Sequence, residues 1–245
     1  DAPHLVLAPL SISDCVFTSA WAVNLAQRFQ TAAIVLSDQF LGQSSAVVEP
    51  PSDVGPEDIN TVEDADGTYL RYALTYSGLS PQAVPGDPGH RFTADGLEHN
   101  EKGTPSASAD DHQAQLDKRA RKLLEIDAGT DWGEVCGHGA IGLVCFGSAS
   151  AAVHEAARVL DAAGIACRSI ALRLLSPLPM AELAEAFDAC ESLIVVEQNH
   201  GAQLLHYLRG EMALAGAVHS VALPGPVPIT AMRIVSAAKE VLDHE

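Results

Sequence analysis

The sequence predicts an α/β protein built on a mostly parallel sheet, and three observations carry that expectation. The last hundred residues alternate short apolar runs with helix-periodic segments four times over, the pattern that gives a parallel sheet with helices on both faces. An unbroken apolar run, Ala32–Leu36, suits a strand covered on both faces, as in parallel sheets. A single further strand–helix–strand unit stands at the N-terminus, cut off from the rest by a long stretch rich in Pro, Gly and acidic residues.

The N-terminal unit begins with a strand at His4–Ala8, broken by Pro9. Ser11 and Asp14 fit a capping box, and Leu10 with Cys15 would form a hydrophobic staple. Val16, Ala20 and Val23 recur at helical spacing and predict one buried helix face. The apolar run Ala32–Leu36 predicts a second strand, covered on both faces. Two strands and one helix leave an open edge and an uncovered face. The expectation is therefore a partial domain at residues 1–48 that completes a sheet whose other strands lie elsewhere. The start Asp1-Ala2-Pro3-His4 shows no secretory or transit pattern, and it suggests a chain that begins inside a longer parent.

Residues 49–139 form the connector, too long to be slack in a compact protein. Its acidic run includes Asp53, Glu57, Asp58, Glu63, Asp64 and Asp66. One helix is predicted over about 110–126, with Asp110 and Asp111 at its start and Lys118, Arg119, Arg121 and Lys122 toward its end, matching the helix dipole. Leu116, Ala120 and Leu123 are its expected apolar stripe. Residues 140–245 form the self-sufficient domain. Strands at 141–146, 166–172, 192–196 and 218–223 are each followed by a helix, with Val153 and Leu160, Leu183 and Phe187, Leu205 and Leu208, and Ile234 and Val241 facing inward.

A net charge of -18 opposes binding to nucleic acid. No apolar run reaches the roughly 20 residues of a membrane span, so no membrane association is expected. The five cysteines are scattered with no Cys-x-x-Cys, which predicts buried free thiols in a cytoplasmic protein and no iron–sulfur cluster held by this chain alone.

Five segments in order carry a family resemblance: Leu25–Gln30 with Ile34–Gln39; Arg71-Tyr72-Ala73-Leu74-Thr75 with Gly78-Leu79-Ser80-Pro81 and Pro85-Gly86; Gly96-Leu97-Glu98-His99-Asn100-Glu101-Lys102-Gly103; Lys118-Arg119 with Lys122-Leu123; and Gly147-Ser148, Pro177-Leu178-Pro179 and Glu197-Gln198-Asn199 with Gln203-Leu204. Together they resemble the C-terminal portion of the α subunit of 2-oxoacid:ferredoxin oxidoreductases, closest to the 2-oxoglutarate branch, with pyruvate and branched-chain oxoacids open. The resemblance implies a thiamine-enzyme pyrimidine-domain remnant followed by a transketolase C-terminal-like domain. It implies thiamine diphosphate with Mg shared with a β subunit. An iron–sulfur cluster and CoA belong to the complex and are not bound by this chain alone. The implied partners are the β subunit, the remainder of the α subunit and, through the complex, ferredoxin. The segment with the glutamate that bonds the pyrimidine ring has no counterpart here, so no catalytic residue is assigned and the isolated chain is expected to be inactive.

Arg71 is the candidate reader of a substrate carboxylate, because a guanidinium fork pairs with a carboxylate in two-point fashion; Thr75 and Ser80 would support it with hydroxyls. The alternative is that Arg71 pairs with an acidic linker residue. Glu98, His99 and Glu101 suggest an active-site loop or interface, their spacing matching no structural metal site. Cys136-Gly137-His138 reads as a linker feature, and Gly147-Ser148 as a strand-to-helix turn. Glu197, Asn199 and Gln203 follow a strand's C-terminal end and, from the resemblance, would organise a subunit interface. The rival to the enzymatic reading is a non-catalytic assembly module of such a complex.

Overall fold

A computed structural model describes residues 2–49, 54–56, 61–62, 68–124, 126–214 and 216–244. In chain order these form β1 (Leu5–Leu7), α1 (Asp14–Phe29), β2 (Ala33–Val35), α2 (Gln39–Gln43), α3 (Ala109–Arg121), β3 (Gly133–Gly137), β4 (Ile141–Phe146), α4 (Ala149–Ala162), β5 (Cys167–Leu172), β6 (Leu174–Ser176), α5 (Met180–Asp188), β7 (Ser192–Glu197), α6 (Gln203–Glu211), β8 (Ala217–Ala222) and α7 (Ala231–His244). The acidic run at Asp53, Glu57, Asp58, Glu63, Asp64 and Asp66 lies outside the described residues.

The chain divides into two compact units: Asp1–Leu5, Trp21–Ala33 and Val54–Asp127 form one, and Val6–Ala20, Ile34–Asp53 and Ala128–Glu245 the other. The second unit holds a five-stranded sheet in the order β3-β5-β4-β7-β8. β5, β4, β7 and β8 are parallel, as the alternation of strands and helices predicts, and β3 adds antiparallel to β5 at the edge. Alternate residues of each strand face opposite sides. Ile141, Leu143, Cys145, Ile194 and Val196 join a cluster with Val153, Ala156 and Leu160 of α4 and Ile234, Ala238 and Val241 of α7. Val144, Ile170, Leu193 and Val195 point the other way and are equally buried, as are Leu183 of α5 and Leu205 and Leu208 of α6.

Gly139, two residues before β4, has φ 143°, and a Cβ there would sit 2.2 Å from the Ala166 carbonyl oxygen, so only glycine allows the close approach of the two chain segments.

The same unit contains a small sheet in the order β2-β1-β6. β1 pairs antiparallel with β6, Val6 opposite Ser176 and Leu7 opposite Leu174. The expectation that the first two strands find all further strands outside this chain is therefore corrected: β6, three residues too short to show a period, supplies one. Arg173, which precedes β6, ties this region together. Its Nε lies 3.1 Å from both Asp14 carboxylate oxygens, its Nη2 3.0 Å from Asp14 Oδ1, and its Nη1 donates to the Asp131 carbonyl at 2.6 Å. Asp14 in turn accepts from the Leu10 N–H at 2.8 Å, and the Asp14 N–H donates to Ser11 Oγ at 3.1 Å, so the expected capping pair forms with its return bond shifted by one residue.

Two burial expectations fail at this end. On α1 the buried residues are Thr18, Trp21, Ala22, Leu25 and Phe29, whereas Val16 and Val23 are exposed. In β2 and just after it, Ile34, Val35 and Leu36 are 45%, 38% and 43% exposed, so this strand is an apolar edge and not a covered centre. On α3 the stripe is also displaced: Ala120 is exposed, while the buried positions include Gln115, Lys118 and Leu123. Three of the five thiols (Cys145, Cys167, Cys190) are buried; Cys15 is half-buried and Cys136, on β3, is exposed.

Candidate functional site

In the first unit the family-like segments converge on the last turns of α3. The buried face of this helix is polar because it must satisfy the carbonyls of the non-helical segment packed on it. Gln115 Nε2 donates to the Tyr72 carbonyl at 3.0 Å. Lys118 Nζ donates to Ser80 Oγ at 2.6 Å, and Lys122 Nζ donates to the Gln30 carbonyl at 2.6 Å. Arg121 holds the carbonyls of Thr75 and Tyr76. Gln30, in left-handed backbone conformation at φ 48°, is the common partner: its Nε2 donates to the Ser80 carbonyl and its Oε1 accepts from Arg71 Nη1 at 3.2 Å.

Arg71 is half-buried, with its guanidinium 5.6 Å from the Tyr72 ring centre and 5.7 Å from that of Phe92. Among the described residues it forms no ion pair; the acidic linker run that the alternative invokes lies outside them. Thr75 and Ser80 donate their hydroxyl hydrogens to the Leu79 and Ala73 carbonyls, at 2.8 Å and 3.0 Å. Their first task is to shape this loop.

Glu98, His99 and Glu101 face three different neighbours. Glu98 is bound by Arg119 in two-point fashion and by His112 Nδ1 at 2.8 Å. Burial would raise its pKa, but the Arg119 and His112 bonds outweigh that and bring it down to about 2. His99 is buried, stacks on Tyr72 with ring centres 4.8 Å apart, and places Nε2 3.1 Å from Asp95 Oδ1. Glu101 accepts the Leu74 N–H at 2.8 Å.

The charge balance around Lys118 is unusual. Burial above all, then repulsion from Lys122, Arg71 and Arg119, brings the Lys118 ammonium down to about 8, against a partial offset from Glu101. Burial, with Arg119 and Arg71, brings Lys122 to about 8 as well.

In the second unit a cleft of about 590 Å³ opens at the C-terminal ends of β4 and β7. β5 lies on one side of β4 and β7 on the other, which makes this the switch point where α/β sheets place ligands. Asp38, Phe40, Phe146, Ser148, Asn199 and Gln203 are among its walls. Asp38 was legible only as the end of a strand. It caps α2 through the Leu41 N–H at 2.9 Å and accepts the Ser148 N–H at the start of α4 at 3.1 Å. Burial opposes its ionisation, but the Ser148 bonds and the Leu41 N–H outweigh it and hold the carboxyl below its usual range. The α4 terminus, an anion site in principle, is thus occupied by the chain's own carboxylate. Gly147-Ser148 is the strand-to-helix turn expected of it. Gln203 and Asn199 do line the cleft, and the Asn199 side chain accepts the Gln203 N–H at 3.3 Å. Glu197 is 1% exposed and works inside the unit, accepting the Leu204 and Leu205 N–H groups at the start of α6 at 2.6 Å and 3.2 Å.

Thiamine diphosphate needs a buried carboxylate facing its pyrimidine ring, as the family's glutamate provides. Among the described residues the most buried carboxylates are Glu197, whose oxygens are taken by α6, and Asp14, whose side chain is 10% exposed and is held by Arg173. The described residues by themselves do not supply that group.

A thiamine-dependent class is nonetheless what the sequence matches. Residues 1–118 match the family model described as pyruvate flavodoxin/ferredoxin oxidoreductase, thiamine diphosphate-binding. Within that class the chain is related in sequence and fold to the α subunits of 2-oxoacid:ferredoxin oxidoreductases. It is 30% identical to the α subunit of 2-oxoacid:ferredoxin oxidoreductase 2 of Aeropyrum pernix across 99% of this chain and 39% of that protein. It is also 30% identical to the 2-oxoglutarate oxidoreductase subunit KorA of Mycobacterium tuberculosis, across 86% of this chain and 33% of that one. Among solved structures, the 2-oxoglutarate:ferredoxin oxidoreductase of Magnetococcus marinus, with 2-oxoglutarate, coenzyme A and succinyl-CoA bound, superposes with a TM-score of 0.87 at 32% identity, covering 97% of this chain and 42% of that one. The chain therefore spans about two fifths of the length of these relatives or less. Among the described residues no helix is long and apolar enough to cross a membrane.

Proposed function

We propose that this chain works as part of the α subunit of a thiamine diphosphate-dependent 2-oxoacid:ferredoxin oxidoreductase. It would act in the oxidative decarboxylation of a 2-oxoacid, preferably 2-oxoglutarate, to the acyl-CoA. The observation that supports this most is the likeness to the Magnetococcus marinus enzyme over nearly the whole chain. Residues 1–48 read as the end of a pyrimidine-binding-type domain, 49–139 as the connector and 140–245 as the transketolase C-terminal-like domain.

When bound, thiamine diphosphate supplies the electron sink for decarboxylation. It would be held with Mg chiefly by the rest of the α subunit and by a β subunit, with the iron–sulfur cluster and the ferredoxin contact there as well. The exposed apolar edge of Ile34, Val35 and Leu36 supports placing the remainder of the α subunit against β2, where an added strand would bury those side chains and pair the open backbone groups. The net charge of -18 argues against a nucleic-acid partner, and the free cysteines support a cytoplasmic site.

Within this chain Arg71 would orient the substrate carboxylate. It is half-buried and, among the described residues, holds one neutral hydrogen bond, leaving further donors of its fork for a ligand. A second reading, a non-catalytic assembly module, draws on Thr75 and Ser80, whose hydroxyls serve the loop itself. The test is co-production with the remainder of the α subunit and a β subunit, followed by thiamine- and CoA-dependent reduction of a low-potential dye with 2-oxoglutarate or pyruvate. Arg71→Ala should raise KM for the oxoacid at least roughly tenfold, the loss of one charge-assisted contact. Unchanged kinetics would move the assignment to the module reading, and turnover by the isolated chain would contradict both.

A further inference from the structure

Among the described residues, three cations share the inner side of α3 with too little negative charge to match them. Lys118 and Lys122 stand one helical turn apart on the same face, a spacing at which like charges repel. Arg71 is close enough to both to lower their proton affinity. Their hydrogen-bond partners are all neutral: Ser80 Oγ for Lys118, the Gln30 carbonyl for Lys122 and Gln30 Oε1 for Arg71. Nearby Arg119 is already neutralised by Glu98. The one carboxylate that reaches Lys118 electrostatically, Glu101, is engaged by the Leu74 N–H.

A chain gains nothing in stability from desolvating cations without a counter-ion, because that cost is offset only by a paired, hydrogen-bonded anion. Tethering alone does not explain the choice of side chains. A neutral amide would serve the Ser80 hydroxyl or the Gln30 carbonyl at lower cost, as Gln115 serves Tyr72 on the same face. Arg71 and Lys122 are only half-buried, so the cluster is open on their side.

We propose that Arg71, Lys118 and Lys122 form a binding site for a doubly charged oxyanion, a phosphate group or a dicarboxylate. The guanidinium fork and the Lys122 ammonium supply directed donors, and Lys118 supplies charge from below through its position behind Ser80. Gln30 sets the geometry by holding Arg71 with its side chain and Lys122 with its carbonyl. The identity of the anion rests on the functional reading above, which supplies a dicarboxylate oxoacid or a phosphate-bearing cofactor; the existence of the site does not.

The linkage has a definite sign. A bound dianion stabilises both ammoniums in their charged form, so their pKa values rise on binding. Near pH 8, where each is partly deprotonated in the free chain, binding takes up protons; at pH 7, where both are charged, it takes up almost none.

The test is isothermal titration calorimetry of the 245-residue chain with inorganic phosphate and, separately, with 2-oxoglutarate, near pH 7 and pH 8.5, in buffers of different ionisation heat. Saturable binding of either is expected, weaker at the higher pH, with proton uptake there. Phosphate alone binding assigns a phosphate group, and 2-oxoglutarate alone assigns the dicarboxylate. Lys118→Met removes a buried contact and endangers the fold, so the decisive variants are the half-exposed Lys122→Met and Arg71→Gln. Each should weaken binding roughly tenfold, and Lys122→Arg should stay within about threefold of the parent. No heat from either anion up to about 20 mM, far above any useful affinity, overturns the site. So does binding that neither variant weakens. Because this readout needs no turnover, an inactive complex that still binds the anion counts against the enzymatic reading and leaves the site standing.

Discussion

Removing the Arg173 side chain should destabilise the second unit more than any other single polar change there. Arg173 is 6% exposed and meets both oxygens of Asp14, whose side chain is 10% exposed, as well as the Asp131 carbonyl and, at 3.4 Å, Glu134. In Arg173→Met the Asp14 carboxylate stays buried with only the Leu10 N–H and the Thr18 hydroxyl to hold it. Breaking a buried pair from one side costs about 3–5 kcal/mol. With a urea m value of roughly 2–3 kcal/mol/M for a domain of this size, the midpoint should fall by about 1–2 M. Trp132 is a suitable reporter: it is buried, and its carbonyl accepts the Arg173 and Leu174 N–H groups at 2.8 Å each. Trp21, in the other unit, is replaced by Phe in every variant to leave one signal. The double variant Asp14→Asn/Arg173→Met should recover most of the loss. It removes the unpaired charge and leaves an amide oxygen for Leu10 and Thr18. A single-variant shift below about 0.3 M, within the error of such extrapolations, refutes the reasoning, as does a double variant no better than the single one.

Glu98 is ionised in the folded chain down to about pH 2, below its ordinary value of 4.5, so its stabilisation is complete above about pH 4.5 and is lost as pH falls toward 2; Glu98→Gln should cost roughly 2–3 kcal/mol at neutral pH and flatten that acid limb in urea titrations. Gly139→Ala would press a Cβ onto the Ala166 carbonyl and should cost several kcal/mol, about 3 or more, whereas Gly164→Ala, with φ 81° but open space around it, should cost only about 1 kcal/mol by the same denaturation measurement. A thiol-reactive dye at pH 8 should label exposed Cys136 quickly and leave Cys145, whose thiol burial pushes up to about 12, untouched until the chain unfolds; prompt labelling of Cys145 by mass spectrometry would contradict its burial. Leu36→Lys should change the stability of the isolated chain by no more than about 0.5 kcal/mol, whereas Ile194→Ala in the sheet centre should cost about 2–5 kcal/mol; comparable losses would show that Leu36 is covered.

The parallel sheet was legible because its strands carry the signal themselves. Ile141–Phe146 and Leu193–Val196 hold no polar side chain, and a run of that kind has few homes other than a strand covered on both faces. β3 and β6 escaped notice for opposite reasons. Gly133–Gly137 is a mostly exposed edge with Glu134 and a glycine at each end, so no alternation marks it. Leu174–Ser176 is three residues long and follows Arg173, whose charge reads as a loop until Asp14 appears beside it. The family-like segments come together in the first unit, where Lys118 meets Ser80 and lies near Arg71. What they withheld was the direction of α3: a helix whose inner face carries Gln115 and Lys118 hides behind an apparent stripe of Leu116, Ala120 and Leu123.

Hydrophobic period reports which residues are apolar, and it cannot report whose atoms cover them. At α4 the two coincide, because Val153, Ala156 and Leu160 meet strands of the same unit. At α1 and β2 they separate: Val16, Val23, Ile34 and Leu36 keep the spacing and composition of interior positions while facing outward. Burying a side chain of that size is worth about 1.5–3 kcal/mol, so the exposed set at this end forgoes a stabilisation comparable to a domain's whole net stability. A sequence tuned only to fold this segment alone would place polar groups at those positions, as α3 does on its outer face with Gln113 and Asp117. The discrepancy between the period and the burial is thus a physical signal in its own right, and in β2 it falls on a strand at the edge of its sheet.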